Sequence, residues 1–540
     1  VAEQIKGKQV LSDGQQARLN EELKKYDWSQ GAGPKLRQLL LRGVGVHHAG
    51  LLPKYRRIVE ELFQHKLLSV AICTETLSSG INLPARSVVA PSIMKGPPGK
   101  MRVLEPSTAH QIFGRAGRPQ FDTQGYVYVL AHEDDVRIAR WQEKFDQIPA
   151  DTKDPGLLKA KKHMQKKRPK RRDNEQYWNE AQFQKLVAAP PGKLHSRGPL
   201  PWRLLAYMLD ASPEVDLIRK LVGKRLMDSA HLEASQRDLD RMLLTLHRGG
   251  YVKLEPPPPE KEETPEPATE VKKAPVVLST KLFPTAPSEA IAPPEVPPYR
   301  ATLANPTPEL AKLALFRSIN PLYAQFLIKQ LGIANRAERI QALESVLELP
   351  RSVGRFVRVP KQDQLPPGPL ATTRLDQQLL QLGLATMEEL TQQPKDEEPF
   401  RGHTYDEERV WVITLADKLR RLFDYEVPGV FDLRTHPVWA AGELLEFGGD
   451  FNKYVTCKEL QKQEGVIFRH VLRLILLLGE FEQLSPADAD AAEWQADLHD
   501  VAARLTESCR QVDPASTDKV LEQAAAEVVE TETAEAAVEE

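Results

Sequence analysis

Two arginines three residues apart, Arg115 and Arg118, sit in the string Gln111-Ile112-Phe113-Gly114-Arg115-Ala116-Gly117-Arg118. Their planar, permanently charged forks bond oxygens in pairs, which suits them better than lysines to clamp a polyphosphate. Gly114 and Gly117 let the backbone bend and approach closely. The bland alternative is that both arginines cap a helix or pair with surface carboxylates. Upstream, the apolar run Leu67 to Cys73 reads as a buried strand and ends in Thr74. Gly80 follows six positions on and Asn82 two beyond that. A hydroxyl, a backbone amide and a carboxamide would then gather at the strand's carboxyl end, where open parallel sheets bind ligands.

These residues need a scaffold, and from residue 1 to about 150 helical and strand patterns alternate. Gln15 to Lys25, Pro34 to Leu41 and Pro53 to Lys66 read as helices. In the last, Tyr55, Ile58, Val59, Leu62 and Phe63 recur at helical spacing. Val44 to His47, the run before Thr74, Ser87 to Ala90 and Gly125 to Leu130 read as strands. Such alternation predicts an α/β domain with a parallel sheet and helices on both faces.

The strings 71–84 and 111–118 resemble the fifth and sixth motifs of superfamily two helicases, specifically DExH-box RNA helicases of the superkiller and exosome-associated group. Gly45-Val46-His47-His48-Ala49-Gly50-Leu51-Leu52-Pro53 is similar to a further string of that branch. The resemblance implies a second RecA-like domain, incomplete at its N-terminus, with ATP and Mg2+ as cofactors. It implies that Arg115 and Arg118 are arginine fingers on the γ-phosphate and that Gln111 helps position them. Gly80 and Asn82 would meet the nucleotide, and Thr74 an RNA phosphate. His47 and His48 divide between packing and strand contact.

Two strings imitate phosphate or metal sites. Gly96-Pro97-Pro98-Gly99-Lys100-Met101 has neither the glycine spacing nor the Ser or Thr of a P-loop. The acids in Val129 to Asp135 follow the arginine motif and fit a helix N-cap and first turn. Phosphoryl transfer also needs a phosphate-cradling loop, a lysine, a magnesium-holding acid and a positioned water. By the resemblance these belong to a first RecA-like domain, expected upstream of Val1. The chain opens without Met and is expected to be a fragment or a processed chain, inactive alone.

Composition bounds the rest. A chain of 540 residues with net charge −2 predicts three or four domains and restricts polyanion binding to local patches. Three scattered cysteines, Cys73, Cys457 and Cys509, argue for a reducing compartment, the cytoplasm, and against a zinc cage. No run reaches the roughly 18 apolar residues of a membrane span. Lys159 to Arg172 is a dense basic run, expected within a linker 151–176. It reads as a solvated linker, an RNA-backbone strip or a nuclear import signal.

Three helical patterns between 177 and 255, followed by Gly249-Gly250 and an apolar run, suggest a winged helix. Arg237, Arg241 and Arg248 there invite a DNA-reading role, whereas the family uses this module as a brace. Residues 256–298 hold thirteen prolines and read as an extended linker. No segment matches the stalk-and-barrel insertion of the exosome-associated branch. From 299 to 513 the pattern is helical, and 514–540 reads as an acidic tail, disordered or a fraying helix. Glu464-Gly465 before a long helix resembles the start of the family's C-terminal helical domain. Arg469 and Arg473 share one face of it, either lining an RNA path or as solvent arginines on a core helix. The expected whole is an ATP-dependent RNA helicase of RNA processing or decay, with single-stranded RNA, its own first RecA-like domain and a ribonuclease complex as partners. The rivals are a non-catalytic RNA-binding scaffold and a DNA-unwinding relative.

Overall fold

The computed structural model describes residues 10–74, 85–97, 99–117, 122–149, 154–192, 194–259, 299–391 and 412–539, with side chains to residue 526. Among the described residues the protein is mostly helical, with four two-stranded pairs.

The first part is built from α1 (Asp13–Leu23), α2 (Gly33–Leu40), β1 (Val44–His47), α3 (Pro53–Gln64) and β2 (Val70–Cys73). Strand β1 runs parallel to β2 from Val44↔Val70 to His47↔Cys73. Helix α3 starts on Pro53, whose missing N–H is no loss in a first turn. It buries Tyr55, Ile58, Val59 and Leu62, the stripe that the spacing predicts. Next come β3 (Ser87–Ala90), the short antiparallel pair β4 (Met94–Lys95) and β5 (Arg102–Val103), α4 (Pro106–Phe113) and β6 (Tyr126–Val129). Strands β3 and β6 are parallel in the register Ser87↔Tyr126. The two cores differ in reach. Leu19 to Leu68 belong to one apolar cluster that continues through the helices to Val512, whereas Ile93, Leu104, Ala109 and Leu186 form a small one of their own.

Helices α5 (Glu133–Asp146), α6 (Pro155–Lys166) and α7 (Glu180–Val187) lead to α8 (Trp202–Ala211), α9 (Val215–Gly223) and α10 (Ser229–Arg248). After α10, β7 (Val252–Glu255) pairs antiparallel with β8 (Leu303–Pro306), Glu255 opposite Leu303. This corrects the expected boundary at 299. The proline-rich stretch, whose residues 260–298 lie outside the described ones, is inserted within a β-hairpin and does not simply join two domains. The residues after it return to the helices before it: Val215 N–H donates to the Thr302 carbonyl at 3.1 Å.

Beyond β8, Glu464–Glu482 packs on Ala491–Val512 and on Arg336–Ser345, which in turn packs on Leu415–Glu426, while Pro308–Ala314 packs on α8 and on Pro321–Gln330. The expected helix start at Arg409 lies outside the described residues. The expected acidic tail is a helix, Pro514–Glu539, whose first turns pack on α3 and on Glu464–Glu482, with Thr517 fully buried.

Candidate functional site

The two motif strings meet through the backbone. Thr74 is exposed just past the carboxyl end of β2, and its N–H reaches the His47 carbonyl at 3.4 Å. Gly80, Asn82 and Arg118 lie outside the described residues. The chain resumes at Ala85, which makes a parallel bridge to Ala116 and accepts a 2.9 Å hydrogen bond from Gly117 N–H. The residue that follows the Gly80 and Asn82 segment is therefore tied to the turn bearing Arg115.

That turn is rigid for identifiable reasons. Helix α4 carries Gln111 on its exposed side, and His110 Nε2 lies 2.8 Å from the Leu186 carbonyl. Its last turn tightens as Arg115 N–H bonds Ile112 and Ala116 N–H bonds Phe113, at 3.2 and 3.0 Å. Gly117 then takes φ +66°, and a Cβ there would stand 2.3 Å from Gly125 Cα. Only glycine permits both the left-handed backbone and that contact. Arg115 itself is half-buried.

The Gly45 to Pro53 string is held for packing. His47 is buried, with Nε2 at 2.7 Å from Glu60 Oε1. Burial pulls its pKa down against the opposing pull of Glu60. His48 Nδ1 accepts from Gly50 N–H at 3.0 Å, and burial lowers its pKa too.

Onto this loop fits the start of the long helix Glu464–Glu482. Gly465 N–H donates to the Gly50 carbonyl at 2.9 Å, and a Cβ on Gly465 would stand 1.9 Å from the Leu51 oxygen. Glu464 is buried and accepts from Ala32 N–H at 3.1 Å. Burial pushes its pKa up to about 7, against backbone bonds from Ala32 and Leu52 and the charge of Lys54. Asp513 closes the other side, accepting from Lys54 N–H at 2.7 Å and from Arg57 at 2.9 Å.

Arg469 needs correction. Expected beside Arg473 either to line an RNA path or to be a solvent arginine on a core helix, it is half-buried and donates to the Ala49 carbonyl at 2.8 Å. Helical phase explains this: four residues past Gly465, it meets the same loop. Burial, then the charges of Arg56 and Arg473, bring its pKa down to about 10. Arg473, one turn on, is exposed. Sequence reasoning missed Arg56, Glu464 as an acceptor, and Asp513. Only the last left a local signal, an Asp before Pro514 that suits a helix N-terminus.

The imitations resolve as expected. Strands β4 and β5 pair antiparallel across this string, with Lys100 N–H on the Pro97 carbonyl at 3.0 Å. His132 caps α5, whose first turn carries Glu133, Asp134 and Asp135. Among the described residues there is no cluster of metal-ligating side chains, and no helix long and apolar enough to cross a membrane.

Parallel strand pairs and a backbone bridge from Ala85 to the turn bearing Arg115 define an α/β lobe. Residues 30–120 match the family described as helicase conserved C-terminal domain. Over 127 residues the chain is 40% identical to the antiviral helicase SKI2 of Saccharomyces cerevisiae, covering 24% of this chain and 10% of that protein. It is 38% identical over 124 residues to the chloroplastic DExH-box ATP-dependent RNA helicase DExH15 of Arabidopsis thaliana, 23% of this chain and 11% of the relative. With activating signal cointegrator 1 complex subunit 3 of Dictyostelium discoideum, identity is 37% over 139 residues, 24% of this chain and 6% of that protein. The matched stretch thus spans about a tenth or less of each relative. That stretch is similar to superfamily two DExH-box helicases of the superkiller type.

Proposed function

We propose that this chain supplies the second motor lobe, and the helical elements that brace it, of an ATP-dependent RNA helicase. The observation that carries the reading is the bridge between Ala85 and Ala116, which joins the two motif strings at one place on a lobe that matches the helicase family. Similarity to a DExH-box ATP-dependent RNA helicase favours an RNA-acting enzyme over a scaffold.

The described residues fit the phosphate end of ATP: Arg115 is a half-buried cation on a turn that Gly117 and Gly125 lock by backbone contact. Bound ATP supplies the phosphoanhydride whose cleavage drives the cycle. Arg115 and Arg118 neutralise charge on its terminal phosphate, Gln111 orients them, and Gly80 and Asn82 line the nucleotide. By the resemblance to the helicase family, the magnesium ligands are assigned to a first motor lobe. Thr74 and Arg473, both exposed, are assigned to the RNA backbone, while Arg469 positions the helix against the motif loop.

In this reading α8 to α10 with the β7–β8 hairpin are a winged helix acting as a brace. The joint of Glu464, Gly465 and Asp513 carries lobe motion into the helical segment. Stimulation of ATP turnover by single-stranded RNA, compared with DNA of the same sequence, tests the reading in the full-length protein. RNA should stimulate and DNA should not; equal stimulation would sink the RNA assignment.

A further inference from the structure

The basic run 159–172 divides into two parts that behave differently. Arg171 and Arg172 fold back on the amino end of α5, where Arg171 Nε lies 2.6 Å from Asp135 and Arg172 Nε 2.8 Å from Asp134. Tyr177 adds a 2.7 Å bond to the same Asp134 carboxylate. These contacts hold Arg171 and Arg172 pKa values up and Asp134 down, through the hydrogen bonds first. Both arginines, though exposed, are therefore already paired with acids of α5.

The other part is helix α6, capped by Asp154, which accepts from Gly156 N–H at 2.7 Å. One side of it is pinned to α5. Trp141 Nε1 donates to the Met164 carbonyl at 3.0 Å, Lys161 lies 5.3 Å from the Phe145 ring centre, and Arg168 5.5 Å from that of Trp141. At 100° per residue, Lys159, Lys162 and Lys166 fall on the side away from Lys161, and Lys167 follows directly as the residue that ends the helix. All four are exposed, none makes an ion pair with a described residue, and no acid occurs from Pro155 to Arg172. Lys159 and Lys166 are about 10 Å apart along the axis.

We propose that this lysine face of α6 is a docking surface for the phosphate backbone of single-stranded RNA, separate from the motif loops. A receptor that reads a linear basic peptide would need the run extended and every cation free. Here Lys159 to Lys166 are helical and two of the run's arginines are already paired, which favours the polyanion. The surface does not depend on the motor reading, because it needs neither nucleotide nor the arginine turn.

The test is binding of fluorescein-labelled oligouridine to this chain without nucleotide, followed by anisotropy from about 50 to 300 mM KCl. In the quadruple variant Lys159→Gln, Lys162→Gln, Lys166→Gln and Lys167→Gln, the slope of log K against log salt should shrink by about 3, at roughly 0.7 per lost contact. Affinity at about 0.1 M salt should fall roughly 30-fold or more. Arg171→Gln with Arg172→Gln should lower the melting temperature and leave the slope in place. An unchanged slope in the quadruple variant overturns the proposal, and loss of nuclear accumulation alongside that unchanged slope would assign the run to import. A slope lost equally in the double arginine variant also overturns it, because the whole run would then act as an unstructured polycation.

Discussion

Alanine at Gly465 should pry the long helix off the motif loop, whereas alanine at Gly479 on the same helix should do the reverse. A Cβ on Gly465 would stand 1.9 Å from the Leu51 oxygen and 2.4 Å from its carbonyl carbon. Both are backbone atoms, so they cannot swing away as a flexible side chain would. Overpacking of this kind costs about 1–3 kcal/mol. Displacing the helix also loses the Gly465 N–H bond to Gly50, a net of about 1 kcal/mol. A Cβ on Gly479 meets nothing within 4 Å, so it gains the helix propensity of alanine over glycine, about 0.8–1 kcal/mol. With a similar gain credited to Gly465→Ala, the two variants should differ by about 2–4 kcal/mol. Urea unfolding gives the global comparison. Amide exchange at residues 48–54 localises it, because about 1.4 kcal/mol of lost protection is a tenfold faster exchange. The reasoning is refuted if both alanines shift the urea midpoint alike, or if exchange at 48–54 is untouched by Gly465→Ala.

Glu464 makes stability depend on pH in a definite direction. Its folded pKa of about 7 lies above the ordinary 4.5, so the folded protein holds the proton more tightly and stability falls as pH rises through that window. The full span is worth about 3 kcal/mol, and Glu464→Gln should remove this slope in urea midpoints taken at pH 5 and pH 8. Equal slopes in both proteins would dismiss the buried carboxyl as its source. Asp513→Ala should cost about 2–4 kcal/mol, since it strips a buried acceptor from Lys54 N–H and Arg57 together; a melting temperature equal to that of the parent would contradict it. Gly117→Ala forces a left-handed residue against Gly125 and should abolish ATP turnover in the full-length protein while RNA still binds. Retained turnover would show that the arginine turn tolerates displacement.

The elements nearest the motifs were legible because their signals are local. Strands Val44–His47 and Ser87–Ala90 stand where the apolar runs predict, and the α3 stripe is the one its spacing spells out. The P-loop imitation was separable on residue types and spacing, and the acidic one by its place after the arginine motif. Strand β8 was not legible: Leu303-Ala304-Asn305-Pro306 is short, ends in proline and finds its partner across the proline-rich insertion. A pairing of that kind leaves no periodicity in either segment. The joint was hidden for the same reason. Gly50 and Gly465 are over four hundred positions apart, and nothing around Glu464 distinguishes a buried carboxyl that caps Ala32 from an ordinary first-turn acid. Arg469 was misplaced because four-residue spacing says which residues share a face but not which neighbour that face meets.

The most direct test concerns the arginine turn as half of a nucleotide site. ATP turnover should be measured with saturating RNA for the full-length protein, for its Arg118→Ala variant and for this chain alone. The account predicts that Arg118→Ala falls by roughly three orders of magnitude, the usual scale for an arginine finger, and that the isolated chain stays at background. Near-parental turnover in the variant, or hydrolysis by the chain alone, would contradict it.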